Sequence, residues 1–236
     1  KETRFIKNTG LITYAGGDWD DTLQPANEEL KKSLVSAWTE ALAYQTCCTL
    51  SSAVTDIDSE LSEELISVSQ KIKETFLNVL IKDGVIAGFL ENNEETNYLL
   101  HPSDKKTGIH YRLLPMTRSI IAELVDSQQA AANTAAIEEH LKCPDGVRLM
   151  DKPASYDGGI SHLFKRAEQA ANVGREISLQ YTHAHIRYIE AMAKLGKANE
   201  AWNSLFVINP VLIQHSVPNA RIRQSNIYFS SSEGAY

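Results

Sequence analysis

No run of this sequence approaches the roughly 20 apolar residues that a membrane-spanning helix needs. The opening KETRFIKNTG lacks the apolar core of a signal peptide, and it lacks an initiator methionine. Positive charge is in short supply. Lys and Arg number 23 against 30 Asp and Glu, for a net charge of -7, which argues against nucleic acid or an anionic membrane as partner and favours neutral or small ligands. Cysteine is scarce as well. Cys47, Cys48 and Cys143 have no metal-type spacing, and an odd count argues against a complete disulfide framework. All three read as reduced thiols, Cys47 and Cys48 as small buried hydrophobes in an apolar helical stretch, and a cytoplasmic location follows. Repeat periodicity is absent, and no His/Asp/Glu cluster has the spacing of a metal site.

The chain does hold enough apolar material, 43% of 236 residues, to bury one sizeable core or a large piece of a bigger one. Residues 1–25 read as loop or extended chain, punctuated by Gly10, Gly16, Gly17 and Pro25. Leu30, Leu34, Ala37, Trp38, Ala41, Leu42 and Cys48 then recur mostly at three- and four-residue steps, which predicts one helix over about 27–50. A second amphipathic pattern through Leu61, Leu65, Val68, Ile72, Phe76 and Leu80 ends at Asp83-Gly84, where Gly84 suits a left-handed C-cap. Residues 85–100 carry a candidate β-hairpin turning at Asn92-Asn93. A helix is expected to start near Met116 or Thr117, after an extended stretch that ends at Pro115. Ser127 is the candidate N-cap of an Ala-rich helix over about 128–141, stopped by Pro144-Asp145-Gly146. Further helices are expected over about 161–171, 181–195 and 199–208. About seven helices with little strand make the class mainly α.

Chemistry has two natural homes. In Gly17-Asp18-Trp19-Asp20-Asp21, a Trp face can pack on a sugar ring while neighbouring carboxylates accept its hydroxyl hydrogen bonds. Partial burial beside other negative charges would keep one carboxyl protonated, as a general acid requires. The same string also reads as an acidic turn in front of a helix. The second home is Gly174-Arg175-Glu176 followed by Tyr181-Thr182-His183-Ala184-His185. A helix start there offers backbone N–H groups, a Thr hydroxyl and a His to an anion such as phosphate. The alternative is a capping Thr182 and a core histidine. His183 and His185 lie about 200° apart on a helix, so both cannot face one small site. Arg112, Arg118 and Arg148 sit in or beside apolar stretches and read as structural ion-pair partners. Asp157-Gly158-Gly159 reads as a turn.

These segments resemble glycoside hydrolase family 94. Residues 17–21 are similar to the family's Trp-Asn-Asp segment, and residues 174–183 to its Gly-x-Arg-Glu-Asn-Gly-Gly-x-Tyr-Thr-His. The strings YRLLPMTRSII, PDGVRLMD, AEQAANVGREI, LQYTHAHIRYIEAMAKLG and RQSNIYFSSSEGAY resemble its branch acting on β-1,2-linked oligoglucans. Asp20 stands in place of the triplet's Asn, and Ile177-Ser178-Leu179 in place of Asn-Gly-Gly.

The resemblance implies that this is part of an (α/α)6-barrel catalytic domain belonging to a longer chain, with no separate second domain over 1–236. It also implies inverting phosphorolysis of β-1,2-linked glucose oligosaccharides to α-glucose 1-phosphate. Asp21 would be the catalytic acid, Trp19, Asp20, Arg175 and Glu176 would bind sugar, and Thr182 and His183 would bind phosphate. Inorganic phosphate is then a substrate, and neither cofactor nor metal is expected. The partners would be the oligosaccharide, phosphate and the remainder of the polypeptide, with room for a homodimer. An inverting hydrolase pairing Asp21 with a second acid such as Asp18 stays open, as does a non-catalytic carbohydrate-binding helical module.

Overall fold

A computed structural model describes residues 5–6, 9–14, 17–93, 95–156, 158–169, 180–209 and 212. Its α-helices are α1 (Glu28–Ser33), α2 (Ala37–Val54), α3 (Ser59–Thr75), α4 (Leu113–Ile121), α5 (Ser127–His140), α6 (Lys165–Gln169), α7 (Thr182–Lys194) and α8 (Ala198–Val207). Short strands fill the gaps: β1 (Leu34–Ser36), β2 (Ile81–Lys82), β3 (Val85–Ile86), β4 (Phe89–Asn92), β5 (Thr96–Leu99), β6 (Lys142–Cys143) and β7 (Gly146–Val147). The molecule is mainly α, as the periodicity indicates.

The helices come in pairs that pack along the chain. α2 lies against α3, α4 against α5, and α7 against α8, while α2 and α7 both pack on α4. Leu113, Leu114, Met116, Ala184, Tyr188, Ala191 and Met192 fill the α4–α7 contact region of the core, all at most 1% exposed.

The single helix expected over 27–50 is interrupted. Leu34, Val35 and Ser36 are buried together, which a helix face cannot achieve, and as β1 they pair antiparallel with β4. The Ser36 side chain then caps α2 by accepting from the Thr39 N–H. The expected hairpin is present as β4–β5, which joins β1 in a three-stranded sheet of order β1-β4-β5.

Asp83-Gly84 does not cap a helix. α3 ends at Thr75, one π-helical turn (Phe76–Leu80) follows, and Asp83 and Gly84, both at positive φ (52° and 77°), turn β2 into β3. Two left-handed residues in sequence are what a tight hairpin turn requires. α4 starts at Leu113, with Pro115 inside its first turn, where no helical N–H is lost. Asp126, rather than Ser127, is the N-cap of α5. Cys47, Cys48 and Cys143 are free thiols, half-buried rather than buried. No helix among the described residues is long and apolar enough to cross a membrane.

Candidate active site

Residues 18–21 alternate inward and outward, as extended backbone does. The Asp18 side chain is fully buried, Trp19 is half-buried, Asp20 is fully buried, and the Asp21 side chain is 64% exposed. Trp19 and Asp21 therefore share the outer side. Asp20 lies inside: its Oδ1 accepts from the Thr22 N–H at 3.1 Å and the Thr22 hydroxyl at 2.6 Å, capping the 3-10 turn Asp21–Leu23. Asp20 supports Asp21 from beneath, where the sequence reading counts it among sugar contacts. On the outer side, Arg166 of α6 has Nη1 3.8 Å from the Asp21 carboxylate and donates to the Asp21 carbonyl at 3.4 Å. The partial burial anticipated for the acid is not supplied here.

Asp18 anchors the loop. Arg112 Nη2 lies 2.5 Å from Oδ1 and Nη1 3.3 Å from Oδ2, Ser36 Oγ donates to Oδ2, and the Asp20 N–H donates to Oδ1 at 2.9 Å. Arg112 is itself fully buried, its guanidinium 4.6 Å from the Phe89 ring centroid and 3.4 Å from the Gly88 carbonyl. Burial works against its charge, yet Asp18 and Asp20 together outweigh it and hold the guanidinium more firmly protonated than usual. Gly88 makes room for the arm: a Cβ there would stand 2.6 Å from Leu100 Cβ and 3.2 Å from Arg112 Cδ. Removing one partner of such a buried pair typically costs about 3–5 kcal/mol.

The second constellation splits as its spacing requires. His185 is buried, its Nδ1 accepting from the Val147 N–H at 2.9 Å and its Nε2 donating to the Ser204 carbonyl at 2.9 Å. Burial lowers its pKa below the usual value, consistent with the neutral tautomer those partners need. His183 is exposed, and Thr182 is half-buried with its hydroxyl 3.3 Å from Gln180 Oε1. Thr182 is not the cap, because Tyr181 holds that position and provides no side-chain cap hydrogen bond. Arg175 and Glu176 lie outside the described residues, as does Asp157.

Folding brings the two constellations together. The Trp19 ring stands edge-on to Tyr181, with centroids 5.3 Å apart, and to His183 at 6.3 Å; Tyr181 and His183 are 5.6 Å apart. Residues 146–150 run between the supports of both halves. Arg148 bridges to Gln180, Met150 bridges to Arg112, and the Leu113 N–H donates to the Leu149 carbonyl at 2.9 Å. Gly146, at φ 125°, lies where a Cβ would meet Gln180 Cγ at 2.9 Å and His185 Nδ1 at 3.1 Å. Arg112 pairs with Asp18 and Arg148 with Asp145 at 2.9 Å, in line with the sequence expectation, whereas Arg118 donates to the Gln45 amide oxygen at 2.8 Å. Nothing local in the sequence names Asp18 as the partner of Arg112. Among the described residues, no group of three or more His, Cys, Asp or Glu side chains is placed to hold a metal.

Residues 1–231 match the Glycosyl hydrolase 94 superfamily, catalytic domain. This chain belongs to that family. Over 238 aligned residues it is 53% identical to a protein named 1,2-beta-oligoglucan phosphorylase from Listeria innocua serovar 6a, covering 100% of this chain and 21% of that protein. The chain thus spans about a fifth of the length of the curated relative it matches. The paired helices are consistent with part of the (α/α)6 barrel of a family 94 catalytic domain.

Proposed function

We propose that this chain is one portion of the catalytic domain of an inverting phosphorylase that converts β-1,2-linked glucose oligosaccharides and phosphate to α-glucose 1-phosphate and a shortened oligosaccharide. The observation that carries the reading is the meeting of Trp19, on the loop that projects Asp21, with Tyr181 and His183 at the start of α7. Trp19 packs on a glucose ring. Asp21 protonates the glycosidic oxygen, while phosphate, held by Thr182, His183 and the first-turn N–H groups of α7, attacks the anomeric carbon from the opposite face. Arg175 and Glu176 serve the acceptor sugar, and Asp20 holds the turn that presents Asp21. The name of the relative supports the substrate class. The partners are the oligosaccharide, phosphate, the remainder of the polypeptide and, in a homodimer, a second copy; the setting is cytoplasmic.

A hydrolase on the same scaffold needs a second carboxylate to activate water, roughly 6.5–9.5 Å from the acid. Asp18, the candidate for that role, is buried and bound by Arg112, Ser36 and the Asp20 N–H, which leaves it unfit as a base. Phosphate needs no such base, because it is already an anionic nucleophile. The test is to incubate the full-length enzyme with a β-1,2-oligoglucan with and without phosphate. Glucose 1-phosphate formed only with phosphate is the expected result; free glucose released at the same rate without it overturns the reading.

A further inference from the structure

We infer that Arg112, acting through the buried Asp18 carboxylate, is the positioning residue that fixes where Asp21 stands. The inference rests on the phosphorylase reading only for the identity of the acid. The geometry is independent of it.

The case begins with what Asp18 touches. Its two oxygens bind elements that are distant in sequence: Arg112 at the start of α4, Ser36 at the start of α2, and the N–H of Asp20 in its own loop. The Asp20 N–H precedes the Asp20 cap, whose Oδ1 holds the turn that begins at Asp21. A set of hydrogen bonds therefore runs from α4, through the Arg112 and Asp18 side chains, to Asp20 and Thr22, the two residues that flank the acid. Thr39 adds a further tie, its hydroxyl donating to the Gly17 carbonyl at 3.3 Å. Arg112 has little freedom of its own, being packed on Phe89 and held to the Gly88 carbonyl at a place where only glycine leaves room. The Asp21 side chain, by contrast, is 64% exposed and has no comparable packing. Beyond the long, solvent-facing contacts with Arg166, its position comes from the backbone beneath it. A planar guanidinium gripping both carboxylate oxygens restricts orientation as well as distance, which a point charge such as Lys does not.

Proton transfer is sensitive to that placement, and a misplacement of about 1 Å caused by a remote change can lower a rate by about 10²-fold. The experiment uses the full-length enzyme with two variants. Arg112→Lys keeps the charge and loses the two-point grip. Asp18→Glu keeps the ion pair and lengthens the tether by one methylene. Each is expected to lower kcat for the oligoglucan by about 10- to 100-fold, with the KM for phosphate within about twofold of wild type. With an aryl β-glucoside, whose leaving group needs little protonation, the loss should shrink to about threefold or less, because only acid placement has changed.

Circular dichroism and thermal unfolding identify the variant that folds, and Asp18→Glu, which leaves no buried charge unpaired, serves if Arg112→Lys does not. A folded variant with unchanged kcat overturns the inference. So does an equal loss on both leaving groups, or a rise in phosphate KM that tracks the loss in kcat, since each marks general disruption of the cleft. Failure of the function reading looks different: the wild-type enzyme itself would form no glucose 1-phosphate.

Discussion

Asp21→Asn separates chemistry from folding more cleanly than any other change in this loop. The amide keeps the shape of the side chain and removes its acidic proton. Asp21 is 64% exposed, and its contact with Arg166 is 3.8 Å long between groups that both face solvent, so the ion pair contributes at most about 1 kcal/mol. Thermal unfolding should therefore hardly move. General-acid participation is typically worth about 10²–10⁴ in rate, or about 3–5 kcal/mol of barrier. The expected outcome is a loss of phosphorolysis in that range at an unchanged melting temperature, measured as glucose 1-phosphate released by the full-length enzyme. Asp18→Asn and Asp20→Asn should behave differently, losing stability along with rate, because both side chains are fully buried. A loss below about tenfold for Asp21→Asn, with the larger and fold-neutral loss falling on Asp18 or Asp20, would show that the acid has been assigned to the wrong residue.

Trp19→Ala should weaken oligosaccharide binding and cost less stability than the roughly 3–5 kcal/mol of a core aromatic, since the ring is only half-buried; sugar affinity measured beside thermal unfolding checks both. His183→Ala should raise the KM for phosphate, and in the synthetic direction for glucose 1-phosphate, while leaving the KM for the glucan nearly unchanged; equal effects on both substrates would count against an anion site at the start of α7. Glu40, buried on α2, is pushed up to about 8 by burial, against the pull of the Ile12 N–H that it accepts. A raised folded-state value means that its contribution to stability is complete below the unfolded value near 4.5 and is lost as pH rises through about 8. The melting temperature of Glu40→Gln relative to wild type should accordingly climb between about pH 5 and about pH 8 and then level off; a flat difference would refute it.

Much of the fold is legible in the sequence because helices follow local periodicity. α5, α7 and α8 begin and end close to the places their apolar steps and caps indicate, and α3 follows its apolar steps as far as Thr75. The failures share one cause. Leu34, Val35 and Ser36 continue a helical pattern by composition, but their pairing with residues 89–91 decides otherwise, and that partner strand is not visible from residues 27–50. Asp83-Gly84 suits a helix end and a hairpin turn equally well, and the choice depends on the pairing of β2 with β3. For the site, the strings 17–21 and 181–185 stand out by residue type and spacing, whereas the choice of Asp21 within the first comes from the family resemblance. The burial of Asp20, the Arg112 clamp on Asp18, and the contact of Trp19 with Tyr181 are long-range products of packing, and no local pattern specifies them.

The position of the site follows from how the helices alternate. Ser36 is the N-cap of α2, Arg112 of α4 and Tyr181 of α7, and each touches residues 18–19 directly. α3, α5 and α8 each pack on the preceding helix, and the shared contacts with residues 18–19 bring the starts of α2, α4 and α7 to one place. A loop laid across that place meets three helix N-termini at once. Such a place carries partial positive charge from the uncompensated N–H groups, which suits both an anionic substrate and a loop rich in carboxylates. The sequence of the loop divides that opportunity by backbone alternation: Asp18 and Asp20 turn inward to hold the structure, and Trp19 and Asp21 turn outward, the side on which the proposed function puts substrate. A buried ion pair is seldom the most stabilising way to fill such a space, and apolar residues of similar volume often do better. Only an ionic, two-point contact also fixes the orientation of the loop, which is why position rather than stability best accounts for Arg112 and Asp18.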